Sequence, residues 1–206
     1  LPQNGIGQAA LNSLRRYGVD TSYILRGGDR IGLYYSEKGA SQRADQVIYD
    51  RKYSAFSLSR EDEYAWDEIF NEAKWFHFTG ITPALGENCF KIAERAAKET
   101  KLYNAIVSCD VNYRKGLWNI KQARAEMERL LAYTDVCIAN ESQISEIFGL
   151  PGERRFTKLY VESGNPQRIR KISYSSFRRN FCTFLQSEGF RLNIFFRLMA
   201  RCCGEE

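Results

Sequence analysis

The sequence predicts an α/β fold, a parallel sheet with crossover helices that carries a small β-hairpin lid. Three observations predict it. After Ser59, short apolar runs alternate with longer segments of helical spacing, in the order strand, helix, strand, helix, strand, helix. Ahead of that alternation, two segments with in–out periodicity flank a polar, glycine-containing stretch, the mark of paired antiparallel strands. At 206 residues, 44% hydrophobic and 27% charged, the chain has the size and balance of one globular domain with a small appendage.

Taken in order, Ile6, Ala9, Ala10, Leu14 and Tyr17 recur at helical spacing, and Gly18 follows as a stop. In RIGLYYSE, Ile31, Leu33 and Tyr35 share one face, with Gly32, Tyr34 and Ser36 on the other. In QVIYDR, Val47, Tyr49 and Arg51 share one face, with Ile48 and Asp50 opposite. KGASQRAD between them is polar, so the pair reads as an amphipathic hairpin covered on one side only. Ser59 is placed to cap a helix with Glu61, Asp62 and Glu63 in its first turn, where the helix dipole favours acids. Trp66, Ile69, Phe70 and Ala73 form that helix's apolar face.

WFHF is a strand ending at Thr79-Gly80, and Phe90, Ala93, Ala96 and Ala97 mark a helix over roughly 86–100. AIVSC is the second strand. Asn119 caps the next helix, which carries Ala123, Met127, Leu130 and Leu131. VCIA is the third strand, and Asn140 caps a helix that ends at Gly149, a residue favoured just past a helix end. All three strands are apolar, as for a parallel sheet buried on both faces.

Composition excludes several function classes. No apolar run reaches the ~18 residues that cross a bilayer. The opening LPQNGIGQ has no initiator Met, basic n-region or apolar h-region, and reads as cut from a longer chain and not as a signal peptide. The six cysteines (Cys89, Cys109, Cys137, Cys182, Cys202 and Cys203) form no C-x-x-C pair, which points to a reducing, cytoplasmic compartment without zinc. His77, the one histidine, rules out chemistry that needs two and reads as a core or strand-end residue.

The net charge of +5 hides a division. Residues 151–206 carry 11 Lys and Arg against 5 Glu, whereas residues 1–150 carry 19 basic against 20 acidic groups. Two segments of different character meet near Gly149-Leu150-Pro151, so the domain is expected over 1–150, with lid strands within about 30–52.

In open α/β sheets, ligands bind beyond the carboxyl ends of the strands. The three strands exit into Thr79-Gly80, into Asp110-Val-Asn112-Tyr-Arg114 and into Asn140-Glu141, which places polar groups from separate stretches on one edge. Each has a plainer reading: Asn140 as a helix cap, Asp110 as a turn residue, Arg114 as a solvated arginine, Trp118 as a packing anchor. A hairpin face of Tyr34, Tyr49 and Arg51 is neither plainly solvated nor plainly core. Large amphipathic tyrosines and a planar guanidinium suit a lid over a polar, anionic small molecule.

GLYYSEKGASQRADQVIYDRKYSAFS, WFHFTGITPAL, DVNYRKGLW and IANESQ together resemble the bacterial 2-keto-3-deoxygluconate kinases of the ribokinase-like (PfkB) sugar kinase family. The resemblance covers roughly residues 1–150. It implies a ribokinase-like sheet with the hairpin as lid, and homo-oligomers paired through the lid. It implies substrate contacts from Tyr34, Tyr49, Arg51 and Arg114, and a place near the nucleotide phosphates for Asn140. Activity would be ATP-dependent phosphorylation of a keto sugar acid, with ATP and Mg²⁺ as cofactors, and with no membrane or nucleic-acid partner. The family commonly has a glutamate three positions after the asparagine that helps organise Mg²⁺; Gln143 stands there, so no metal ligand is assigned.

The resemblance also implies elements the sequence does not contain. One is an N-terminal Gly-Gly…Asn segment. The other is a Gly-Ala-Gly-Asp motif whose Asp is the base and whose glycines form an anion hole at a helix start. RGGDR at 26–30 precedes a lid strand instead, so no catalytic residue is assigned and an inactive fragment is expected. Residues 151–206 carry nine aromatics and no Asp. They read as an aberrant basic tail, explained by a reading-frame change near codon 150. A non-catalytic sugar-acid or nucleic-acid binding protein using that tail is the alternative.

Overall fold

A two-stranded sheet, β1 (Leu33–Glu37) with β2 (Gln46–Asp50), and a separate five-stranded sheet organise the chain. The larger sheet holds β3 (Trp75–Thr79), β4 (Ile106–Asp110), β5 (Val136–Ile138), β6 (Thr157–Val161) and β7 (Ile169–Ser173) in sequential order. The computed structural model describes residues 1–149, 157–161 and 169–173. β3, β4 and β5 run parallel, while β6 and β7 add on in antiparallel fashion. Two strands of the segment that begins at Pro151 thus extend the sheet. The expectation of an aberrant tail otherwise falls outside the described residues.

Helices precede and separate the strands. α1 (Gly5–Arg15) is capped by Asn4, whose side chain accepts the Gly7 N–H, and Gly18 follows with φ 72°. α4 (Glu87–Leu102) connects β3 to β4, α5 (Ile120–Leu131) connects β4 to β5, and α6 (Glu141–Phe148) follows β5. Asn119 caps α5 through the Gln122 N–H at 2.9 Å, and Gly149 ends α6 with φ 67°. Among the described residues, no helix is long and apolar enough to cross a membrane.

The core lies between one face of the sheet and these helices. Phe78, Cys109 and Cys137 stand side by side on β3, β4 and β5. They join Ala93 and Ala97 of α4, Met127 and Leu130 of α5 and Ile147 of α6 in one cluster. Alanines facing the sheet let the helix backbones approach closely, and each large apolar side chain so buried stabilises by about 1.5–3 kcal/mol. At the other end of the strands, Asp135 accepts both the Val107 N–H at 2.8 Å and the Lys101 ammonium, tying α4, β4 and β5 together.

The alternate residues of β3 and β4 face the other way and are more polar. His77 Nδ1 and Trp75 Nε1 both meet Ser108 Oγ, at 2.7 and 2.8 Å. Burial pushes the His77 imidazole down to about 4, so it is neutral in the folded chain at pH 7. Between about pH 4 and 6.5 the unfolded chain therefore holds a proton that the folded chain lacks, and stability falls as pH falls through that window. The contribution reaches up to about 3 kcal/mol. Urea unfolding at pH 4.5 and 7 should show a smaller pH dependence in His77→Gln than in the parent; equal slopes would contradict this.

One expected helix is not continuous. In place of a single helix from Ser59, the chain forms α2 (Ala55–Leu58), a 3₁₀ turn at Glu61–Glu63 and α3 (Trp66–Phe70). Ser54, not Ser59, caps the first of these, and Ser59 Oγ donates back to Phe56 O at 2.7 Å. Tyr64 is extended (φ −100°, ψ 134°), and the Trp66 indole donates to Glu61 O at 2.8 Å. The break lets Tyr64, Trp66, Phe70 and Phe76 form a consecutive aromatic series. Packing of these rings overrides the helical periodicity.

Candidate active site

The exits of the three parallel strands are tied together. Gly80 N–H donates to Asp110 O at 2.8 Å, and Val111 N–H donates to Ile138 O at 2.8 Å. Asn112 Nδ2 donates to Thr79 Oγ1 at 3.1 Å. Asn112 has φ 38°, and asparagine is among the few side chains at ease near the left-handed region. Its own N–H is held by Asp110 Oδ1 at 3.1 Å, so Asp110 does act as a turn residue.

From there the loop alternates between core and surface. Val111, Tyr113 and Trp118 are buried, while Asn112 and Arg114 are half-exposed. The Tyr113 hydroxyl donates to Trp118 O at 3.4 Å and closes the loop from inside. Trp118 is the packing anchor its sequence context suggested, although its indole N–H has no partner among the described residues. A turn follows, in which Leu117 N–H donates to Arg114 O at 2.9 Å. Lys115 reaches Glu146 of α6 at 3.7 Å. The Arg114 guanidinium donates only to the neighbouring Tyr113 O, at 3.3 Å, and has no carboxylate partner among the described residues.

The hairpin presents the second half of the site. Tyr34 and Tyr49 are cross-strand partners on one face. The Arg51 guanidinium lies over both rings, 5.0 Å from the centroid of Tyr49 and 5.8 Å from that of Tyr34. Arg51 likewise lacks a carboxylate partner among the described residues, whereas Arg30 is paired with Asp50. The opposite face carries Leu33, Tyr35 and Ile48, which are 40%, 57% and 57% exposed. Neither face of β1 is buried, in contrast to the one-sided cover its alternation suggested. The hairpin reaches the β4 exit through Tyr49, because a Cβ built on Gly116 would stand 3.5 Å from Tyr49 Cδ2 and Cε2.

Of the sequence-selected residues, Tyr34, Tyr49 and Arg51 meet on the hairpin, while Arg114 stands two positions before Gly116, the turn residue nearest the Tyr49 ring edge. Asn140 stands apart at the β5 exit, where it caps α6. Its Oδ1 accepts the Gln143 N–H and the Ser142 hydroxyl, both at 2.8 Å, and Gln143 Oε1 accepts the Asn140 N–H at 3.1 Å. Those acceptor bonds fix the amide orientation and leave Nδ2 as the donor edge. They also engage Gln143, the position where a metal-organising carboxylate was sought. Among the described residues no three His, Cys, Asp or Glu side chains gather as a metal site. Gly116 was missed in the sequence; its only signal there was a glycine between a basic pair and Leu117-Trp118.

The chain is similar to known proteins in sequence and fold. The chain is 34% identical over 153 residues to the 2-dehydro-3-deoxygalactonokinase of Haloferax volcanii, covering 74% of this chain and 48% of that protein. It is 33% identical over 115 residues to the 2-dehydro-3-deoxygluconokinase of Bacillus subtilis, covering 55% of this chain and 35% of the relative. The crystal structure of 2-dehydro-3-deoxygluconokinase from Thermotoga maritima superposes with a TM-score of 0.70 at 39% identity, over 92% of this chain and 53% of that one. The chain spans about half the length of the curated relatives it matches. A parallel sheet, a hairpin over its carboxyl edge, and a match of residues 1–169 to the pfkB family of carbohydrate kinases lead to one conclusion: the chain belongs to that family.

Proposed function

We propose that this chain carries the sugar-acid side of an ATP-dependent kinase acting on 2-keto-3-deoxygluconate or a closely related keto sugar acid. The carrying observation is the pair of guanidiniums, Arg51 over the Tyr49 ring and Arg114 in the loop after β4, that lack a carboxylate partner among the described residues. A planar fork on each suits a small carboxylate, and Tyr34 and Tyr49 offer hydroxyls to a polyol. The names of the relatives, one a 2-dehydro-3-deoxygluconokinase and one a 2-dehydro-3-deoxygalactonokinase, support a sugar acid over a neutral sugar.

Phosphoryl transfer relies on positioning and on stabilising charge around the phosphates. In this reading the lid excludes water and orients the sugar acid, and Asn140 Nδ2 donates to an ATP phosphate. The sequence has no Gly-Ala-Gly-Asp segment to supply a base and anion hole, so the proposal includes binding without turnover by these 206 residues. Calorimetric titration with 2-keto-3-deoxygluconate, beside a coupled ATPase assay, tests both parts. Saturable binding with no turnover is expected. Absence of binding would sink the sugar-acid assignment, and turnover would sink the inactivity.

Two variants test the finer assignments. Asn140→Asp keeps the cap, since aspartate accepts the same N–H at a helix start, but sets a negative charge where phosphate is proposed. Unchanged thermal stability with weakened ATP binding is expected; unchanged ATP binding would remove Asn140 from the site. The exposed apolar face of Leu33, Tyr35 and Ile48 supports pairing of two hairpins between copies. Ile48→Glu should lower the mass measured by light scattering, and an unchanged mass would argue against that contact.

A further inference from the structure

We propose that Arg30 is a positioning residue: its guanidinium clasps the two stems of the hairpin together and sets the angle at which the hairpin stands to the strand exits. The inference rests on the sugar-acid reading above and deepens it. RGGDR, which supplies no base, provides the clasp. Arg30 lies on the stem that enters β1, and it donates to the stem that leaves β2. One arm donates to Lys52 O at 3.0 Å; the other donates to Asp50 O at 3.2 Å and pairs with the Asp50 carboxylate. Ala55 N–H returns a bond to Arg30 O at 2.8 Å. The two carbonyls that Arg30 holds lie on either side of Arg51, so the clasp fixes the backbone from which that side chain departs toward the Tyr49 ring.

An ion pair alone would not do this. The Arg30 and Asp50 side chains are 36% and 42% exposed, and exposed pairs contribute little. The backbone carbonyls add two charge-assisted bonds that a planar fork makes together and a single ammonium does not. The clasp also stands on a close-packed base. Gly28 has φ 69°, and a Cβ there would stand 2.8 Å from Ala55 Cα, so the two stems meet backbone to backbone. Asn4, the cap of α1, donates from Nδ2 to Asp29 O at 3.2 Å and ties that base to the body of the chain. Tyr53, between Lys52 and Ala55, has φ 56°, a conformation that tyrosine rarely adopts and that its fixed neighbours hold. Among the described residues, none of 33–50 joins the core cluster, so the order of the hairpin depends on this base more than on the core.

The test compares the parent chain with Arg30→Gln, Arg30→Lys and Asp50→Asn. Hydrogen exchange is measured without ligand over 33–50 and over 106–110, and affinity is measured for 2-keto-3-deoxygluconate and for ATP. Arg30→Gln is expected to exchange about tenfold faster over 33–50, with 106–110 unchanged. It is expected to bind the sugar acid about tenfold more weakly, with ATP affinity unchanged because Asn140 stands apart from the hairpin. Arg30→Lys should recover part of both losses. Asp50→Asn should cost less than Arg30→Gln, because both carbonyl bonds survive. Unchanged hairpin exchange in Arg30→Gln overturns the clasp. Faster hairpin exchange with parent-like sugar-acid affinity overturns the positioning role. Faster exchange over 106–110 as well shows a general loss of stability and overturns it too. If the parent binds no sugar acid while Arg30→Gln still loosens the hairpin, the substrate reading falls and the clasp stands.

Discussion

Arg114→Ala is expected to weaken binding of 2-keto-3-deoxygluconate by about 10- to 100-fold while leaving stability unchanged. The affinity loss follows from removing charge-assisted hydrogen bonds, each worth about 1.5–3 kcal/mol. Stability should hold because the guanidinium has only the Tyr113 carbonyl at 3.3 Å as a partner and no ion pair among the described residues. Arg114→Lys should recover only part of the loss, since an ammonium keeps the charge but not the planar fork. Arg51→Ala should cost a similar factor. It should also free the Tyr34 and Tyr49 rings, which share that guanidinium. The two losses should not add, because both side chains would serve one carboxylate. Calorimetric titration beside thermal melts checks the set, and a parent-like affinity in Arg114→Ala would refute the site.

Gly80→Ala is expected to destabilise the fold by ~3 kcal/mol, the upper end for forcing extra volume into a packed site. A Cβ at residue 80 would stand 2.1 Å from Val111 O and 3.0 Å from Val111 C. The obstacle is backbone, which cannot rotate away as a side chain can. Relief requires parting β3 from β4 at the point where Gly80 N–H donates to Asp110 O. Val111 precedes Asn112 and Arg114, so the same shift should weaken sugar-acid binding in the residual folded protein. Denaturant unfolding measures the first effect. A loss below about 0.5 kcal/mol would show that the exit loops are not packed as described.

Much of the fold was legible because its strands and helices follow simple periods. The apolar runs at 75–79, 106–110 and 136–138 gave away the parallel sheet, and Asn119 and Asn140 each cap the helix their position suggested. The helix expected from Ser59 failed because the spacing of Trp66, Phe70 and Phe76 suits an aromatic series as well as a helical face. Periodicity registers which residues are apolar, not which rings will meet.

The site divides the same way. Tyr34, Tyr49, Arg51 and Arg114 are candidates chosen from residue type and family likeness, and the strand register of the structure sets Tyr34 opposite Tyr49. By itself the sequence determined the alternation of elements, the edge where polar exits gather and the chemistry of the groups found there. Only the tertiary structure decided that Asn112 clasps Thr79 across 33 residues and that Gln143 is engaged in a cap. It alone brought the Tyr49 ring beside the turn that holds Gly116. The physical reason is that such contacts depend on how a hairpin and a strand-exit loop, 67 positions apart at Tyr49 and Gly116, are brought together. Nothing local to either segment encodes that meeting; the packing of the whole chain does.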